Sequence, residues 1–273
     1  PKDRIEAYEQ LVRAQNLIDN GSFTEAKTTL LDHVAEHPSG VAALMSLAYV
    51  HTELGEIDQA RSTYEQILRL DPSHPVATQL LSRVFLTTGE NGRAEQLLVE
   101  FLSKQPDFVA LKTELCRLYF QTGRPEVAEA CFVDALEMDR SLTPALVGLA
   151  RCFQLRGSDE LAHDTLLEAL RSSPRDPEVI EELAISYQSR GDLAKAVQLL
   201  ELLCEIEPDN PAAWNNLAAR LAESERFADA AAIARKAAKL DPSNRAIRAN
   251  LGAMLVLSGR LEEGVSELNS VIH

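Results

Sequence analysis

Between Pro177 and Arg190, the apolar residues Ile180, Leu183, Ala184 and Tyr187 recur at helical spacing, forming one stripe along a polar segment. Pro177 suits a first helical turn, where its missing N–H would have no partner, and Gly191 suits a left-handed cap that ends the helix. A second stripe follows in Leu193, Ala196, Val197, Leu200 and Leu203, and Pro208 closes it. Asp209 and Asn210 then offer side-chain oxygens to cap the next helix. The pattern predicts two short helices joined by a tight turn. The alternation of a half-buried strand occurs nowhere in the chain.

The same pattern runs the length of the sequence. Gly21, Gly55, Gly89, Gly123, Gly157, Gly191 and Gly259 lie on one 34-residue grid, broken at Glu225. Ala26, Ala60, Ala94, Ala128, Ala162, Ala196 and Ala230 follow in phase, then Gly264. A third column holds Pro38, Pro72, Pro106, Pro174, Pro208 and Pro242, broken at Arg140. Repeats therefore begin near residues 7, 41, 75, 109, 143, 177, 211 and 245, and the eighth is incomplete. Small residues recur in each first helix (Ala14, Ala48, Ser82, Cys116, Ala150, Ala184, Ala218 and Gly252), so paired backbones are expected to approach closely. The expected fold is an all-α solenoid of antiparallel helix pairs, one array over residues 1–273.

The seventh copy carries Trp214, the pair Leu217 and Ala218, then Ala230 and Pro242. With the columns above, this resembles the tetratricopeptide repeat family over essentially the whole chain. The resemblance implies a right-handed superhelix whose first helices line a concave groove. It also implies a scaffold that binds a protein or peptide segment there. Two alternatives stay open: the regulatory or substrate-recruiting arm of a larger enzyme of glycosyltransferase or sulfotransferase type, and a scaffold of a polysaccharide-secretion machine.

The totals narrow the function class. The 273 residues carry a net charge of -15 and a pI near 4.9, which argues against a nucleic-acid partner, because phosphate binding needs a basic face. No apolar run reaches the length of a membrane span, so no membrane insertion is expected. The opening PKDRIEAYEQ reads as the start of an excised or processed piece. Cys116, Cys131, Cys152 and Cys204 lack metal-ligand spacing and read as small buried apolar groups in a reducing compartment. That makes the cytoplasm the expected location, with the periplasm as the alternative.

Candidate chemistry is sparse. His33 and His37 share a helix face, but the H-E-x-x-H order is absent and no third ligand is suggested, so no metal is expected. His51 stands in a column held elsewhere by tyrosine and is expected to be packed and hydrogen-bonded. No phosphate loop or nucleophile elbow occurs, and adjacent carboxylates such as Glu181 and Glu182 diverge by about 100° on a helix. The chain is expected to be neither an enzyme nor a cofactor binder.

In the family, positions 2, 5, 6, 9, 12 and 13 of each repeat face the groove. Carried over, they give an apolar zone (Tyr8, Leu11, Val12, Met45, Tyr49, Leu80, Leu86), then Arg83, Arg117 and Arg151, with Phe120 nearby. Glu178, Glu181 and Glu182 come next, and Asn215, Asn216 and Asn250 last. The arginines occupy position 9 of consecutive repeats and are expected to form a ladder for the carboxylates of an acidic partner. Glu114 is the alternative counter-charge, three residues before Arg117 on the same helix. Asn216 and Asn250 are similar to the asparagine ladder of the family's O-linked N-acetylglucosamine transferase members, which holds an extended peptide backbone. The family's carboxylate clamp, which needs lysine at position 5, is absent in every register. The partner is thus expected to carry acidic and apolar residues. Val265, Leu268, Val271 and Ile272 at the end of the eighth copy make self-association a further expectation.

Overall fold

The first helix of every repeat but one starts at the residue the period predicts. In the computed structural model, which describes residues 2–272 and side chains from residue 7 to residue 271, the chain divides after Arg124 into two compact units. The first unit contains α1 (Lys2–Asp19), α2 (Phe23–Glu36), α3 (Val41–Glu53), α4 (Ile57–Leu70), α5 (Pro75–Thr87), α6 (Asn91–Lys104) and α7 (Val109–Gln121). The second contains α8 (Pro125–Met138), α9 (Thr143–Leu155), α10 (Asp159–Ser172), α11 (Pro177–Ser189) and α12 (Leu193–Ile206). It continues through α13 (Pro211–Glu223), α14 (Phe227–Leu240), α15 (Arg245–Leu257) and α16 (Leu261–Ile272). Only α1 departs, beginning at residue 2 rather than 7.

Local chemistry accounts for the helix ends. Asp176, Asn210 and Asn244 each accept from two backbone N–H groups of the helix they open; at Asn210 the distances are 2.9 and 3.3 Å. Asn210, and not its neighbour Asp209, makes the cap. At the other end, Gly191 has φ 78°, and the N–H of Asp192 donates to the Tyr187 carbonyl at 2.9 Å. That bond satisfies a carbonyl the helix leaves open.

Within each unit a helix packs on its sequence neighbours, and first helices also touch across one repeat: α1 with α3, α5 with α7, α9 with α11, α13 with α15. The small columns lie where the backbones meet, with Ala48 and Ala60 both fully buried in the first unit and Ala218 and Ala230 in the second. In the last pair the approach is close: a Cβ on Gly264 would stand 2.8 Å from the Gly252 carbonyl oxygen. Large side chains fill the layers between pairs, among them Tyr64, Ile67 and Leu98 in the first unit and Phe132, Leu166 and Ile180 in the second. Arginines in the turns reach back one repeat. Arg124 donates to both Glu95 oxygens at 3.1 and 2.8 Å while lying 4.6 Å from the centre of the Tyr119 ring. Arg156 does the same with Glu129 and Phe153.

Candidate binding groove

First helices supply most of the side chains of a cleft in each unit. In the first unit, a cleft of 510 Å³ is lined by Arg83, Leu86 and Thr87 of α5 and by Glu114, Arg117 and Gln121 of α7. Every one of these sits at repeat position 6, 9, 12 or 13, the register assigned to the groove. On the helices before them, Tyr8 is 69% exposed and Tyr49 43% exposed, with Tyr49 edge-on to Phe23 at 6.3 Å. Met45 is half-buried, packed on the core beside Leu80 and Leu86. Phe120 is half-buried on α7, outside the lining of the cleft.

The arginines are not equivalent. Arg83 donates to Glu114 at 2.5 Å, and Gln79 donates to the same oxygen at 2.9 Å. Glu114 therefore pairs with the arginine of the preceding repeat, not with Arg117 on its own helix. Burial pushes the Glu114 carboxyl up, but the bonds from Arg83 and Gln79 and the fields of Arg83 and Arg117 outweigh it and hold it below the usual carboxylate range. Arg151, in the second unit, is clamped harder: its Nε and Nη2 reach Glu182 at 2.7 and 2.6 Å, and its Nη1 reaches Glu178 at 2.9 Å. Burial opposes the charge on Arg151, yet those two carboxylates hold its pKa above the ordinary arginine value. Arg117 is half-buried and makes no hydrogen bond or ion pair among the described residues.

The cleft of the second unit is smaller, 130 Å³, and lined by Glu181, Ala184, Ile185, Gln188, Leu200, Asn216 and Arg220. The asparagines of the expected ladder already have partners. Asn216 donates to Glu181 at 3.3 Å, and Asn250 donates to Asn215 at 2.9 Å. Ile185 is 50% exposed at the mouth, and Gln188 donates to both oxygens of Glu223 at 3.2 Å. Ile185 and Gln188 occupy positions 9 and 12, so the repeat register alone could have found them. Arg220, with a buried Nε that has no partner, sits at position 10 and gave no signal.

The remaining candidates are packed. His33 Nδ1 lies 3.0 Å from Gln10 Oε1, with the His37 ring 4.9 Å away. No group of three metal-ligating side chains comes together among the described residues. His51 is buried, with its Nδ1 2.6 Å from Glu56 Oε2, as its place in the tyrosine column suggested. Cys152 and Cys204 are buried free thiols that burial pushes up to about 11 and about 12, so at neutral pH they behave as small apolar groups. Cys116 and Cys131 depart from that reading: each is disulfide-bonded.

Sequence profiles of the tetratricopeptide repeat match residues 11–75, 113–177 and 215–272, with further matches over 51–106 and 181–220. No curated protein matches the chain. Among solved structures it is similar to a tetratricopeptide repeat protein from Parabacteroides merdae (TM-score 0.68, 19% identity, 92% of this chain and 99% of that one). It is also similar to yeast Tom70 (TM-score 0.72, 17% identity, 97% of this chain and 60% of that one). A third similar structure is pilF of Pseudomonas aeruginosa (TM-score 0.59, 17% identity, 76% and 94%). At these identities the likeness concerns the fold.

Proposed function

The chain belongs to the tetratricopeptide repeat family, and from that premise we propose that it is a non-catalytic scaffold holding a segment of a partner protein against its first helices. One observation carries the reading: in each unit, a cleft lined mainly by first-helix side chains combines apolar with polar groups. Tyr49, Met45 and Phe120 supply apolar contact, Arg83, Arg117 and Arg151 positive charge, and Asn216 and Asn250 amides. A partner with acidic and apolar residues suits this lining. The same groove would serve if the chain recruits substrates for a larger enzyme or scaffolds a secretion machine.

Selection of linear peptides from a displayed library on the whole chain tests the proposal. Calorimetry on the selected peptides should show binding that weakens in Tyr49→Ala and in Phe120→Ala, and that persists in Leu161→Ala, a substitution of an exposed residue on the second helix α10. Failure to enrich any linear peptide, or equal binding by all three variants, would reject the groove as the site. Self-association through the last repeat is a separate proposal, supported by Leu257, Leu261 and Val265 at 54%, 60% and 50% exposure; light scattering across a concentration series decides it. A cytoplasmic setting is likewise a proposal, with the periplasm as the alternative, and fractionation of producing cells separates them.

A further inference from the structure

Of the three arginines that repeat at one spacing, Arg83 and Arg151 are held by glutamates of the following repeat. Arg117 is half-buried, unpaired among the described residues, and faces the 510 Å³ cleft of the first unit. The charged groups of that cleft are two guanidiniums and one carboxylate, Glu114. Glu114 is kept ionised and already accepts from Arg83 and Gln79. The cleft therefore carries one surplus positive charge in a chain whose net charge is -15. An uncompensated donor set lies on one wall: the Arg117 guanidinium donates to none of the described residues, and Gln121 adds an amide one turn further along α7. On the opposite wall the Arg83 guanidinium is already neutralised by Glu114, the Thr87 hydroxyl donates to the Val84 carbonyl at 2.9 Å, and Leu86 is apolar.

We propose that this cleft is a single-carboxylate subsite, in which Arg117 takes an Asp or Glu side chain of the bound segment in a forked, two-bond contact. The proposal rests on the groove reading above and sharpens it: one rung of the arginine ladder contacts ligand, and the other two brace the stack. A surplus of one charge fits a carboxylate; a phosphate dianion would bring a second negative charge beside Glu114. The repeat positions assigned to the groove continue on α3 with Met45 and Tyr49, which suits a segment that passes through the cleft and presents a side chain, not its terminus.

The test uses the whole chain and three probes followed by the Nε–Hε signal of Arg117 in nitrogen-15 spectra: N-acetyl-glutamate N-methylamide, N-acetyl-alanine with a free carboxyl, and inorganic phosphate. The blocked glutamate should shift the Arg117 signal saturably and more tightly than the other two. In the variants binding is followed by the side-chain amide signal of Gln121, which lines the same cleft: Arg117→Ala should abolish its saturable shift and leave the melting midpoint in place. Arg117→Lys should bind at least about fivefold more weakly, because an ammonium cannot form the fork. Arg117→Gln, closer in shape, gives the same readout should the alanine variant fold poorly. A linear, non-saturating response, or tighter binding of phosphate or of the terminal carboxyl, overturns the subsite. Selected peptides that bind equally to wild type and Arg117→Ala overturn it as well, while leaving the scaffold reading standing. A saturable glutamate site in a chain that enriches no linear peptide would instead sink the scaffold reading alone.

Discussion

Glu225 holds the left-handed backbone conformation, φ 59°, that glycine holds at Gly191 and its counterparts. The turn is built the same way, with the Arg226 N–H donating to the Leu221 carbonyl at 2.9 Å. A Cβ costs free energy in that region, while glycine adds freedom to the unfolded chain, so Glu225→Gly should stabilise by up to about 1 kcal/mol. A thermal melt with an unchanged or lower midpoint would contradict this. Gly148 presents the opposite case. A Cβ there would stand 2.2 to 2.6 Å from three atoms of the Phe132 ring, which is fully buried. Gly148→Ala should therefore destabilise by about 1–3 kcal/mol despite alanine's better helix propensity, as urea titration would report. The arginines divide in the same terms. Arg83→Ala would leave the mostly buried Glu114 without its cation, and a loss of about 1 kcal/mol is expected where Arg117→Ala loses none. The repeat spacing made these three residues look alike; which of them meets a carboxylate depends on residues 31 positions away, Glu114 for Arg83 and Glu182 for Arg151.

At the scale of the element, helices α10 and α11 are joined by a buried pair, His163 Nδ1 and Ser186 Oγ, 2.9 Å apart. Tyr187 stands edge-on to the imidazole at 4.7 Å. Burial, followed by the field of Arg190, lowers the His163 pKa from 6.5, with Lys195 adding to the effect and Asp164 and Glu160 opposing it. Burial and His37 lower His33 likewise. The unfolded chain then binds more protons than the folded one as pH falls through about 6.5, so stability should drop between neutrality and pH about 5. The depressed carboxylate of Glu114 acts lower, where stability is lost below its ordinary value of 4.5. Urea midpoints at the two pH values should therefore differ in wild type and differ less in His163→Gln. Equal pH dependence in both would remove His163 from this account. Pairs of helices were legible from the apolar stripes, and so were their starts, because Pro, Asn and Asp act within one turn. The histidine contact was not, since its partner lies 23 residues away and no spacing rule links them.

At the scale of the molecule, each helix touches its sequence neighbours within its own unit and little else, so stability is expected to divide into nearest-neighbour layers. Removing residues 245–273 takes away α15 and α16 and should leave the remaining helices folded, with the circular dichroism reduced roughly in proportion. Complete loss of helical signal would show that cooperativity runs across the chain. This layering also explains what could be known in advance. The sequence by itself determined the helix pairs, their period, their caps and the small columns that set the close approach of Gly252 and Gly264. All of these depend on interactions within one repeat or between adjacent ones at a constant offset. Which positions face the groove is an expectation that the resemblance to the family implies. Only the tertiary structure decided which groove charges are already neutralised. Ion pairing depends on where a long side chain on one helix ends relative to a carboxylate on the next, and identical spacing leaves Arg83 and Arg151 clamped while Arg117 has no partner among the described residues.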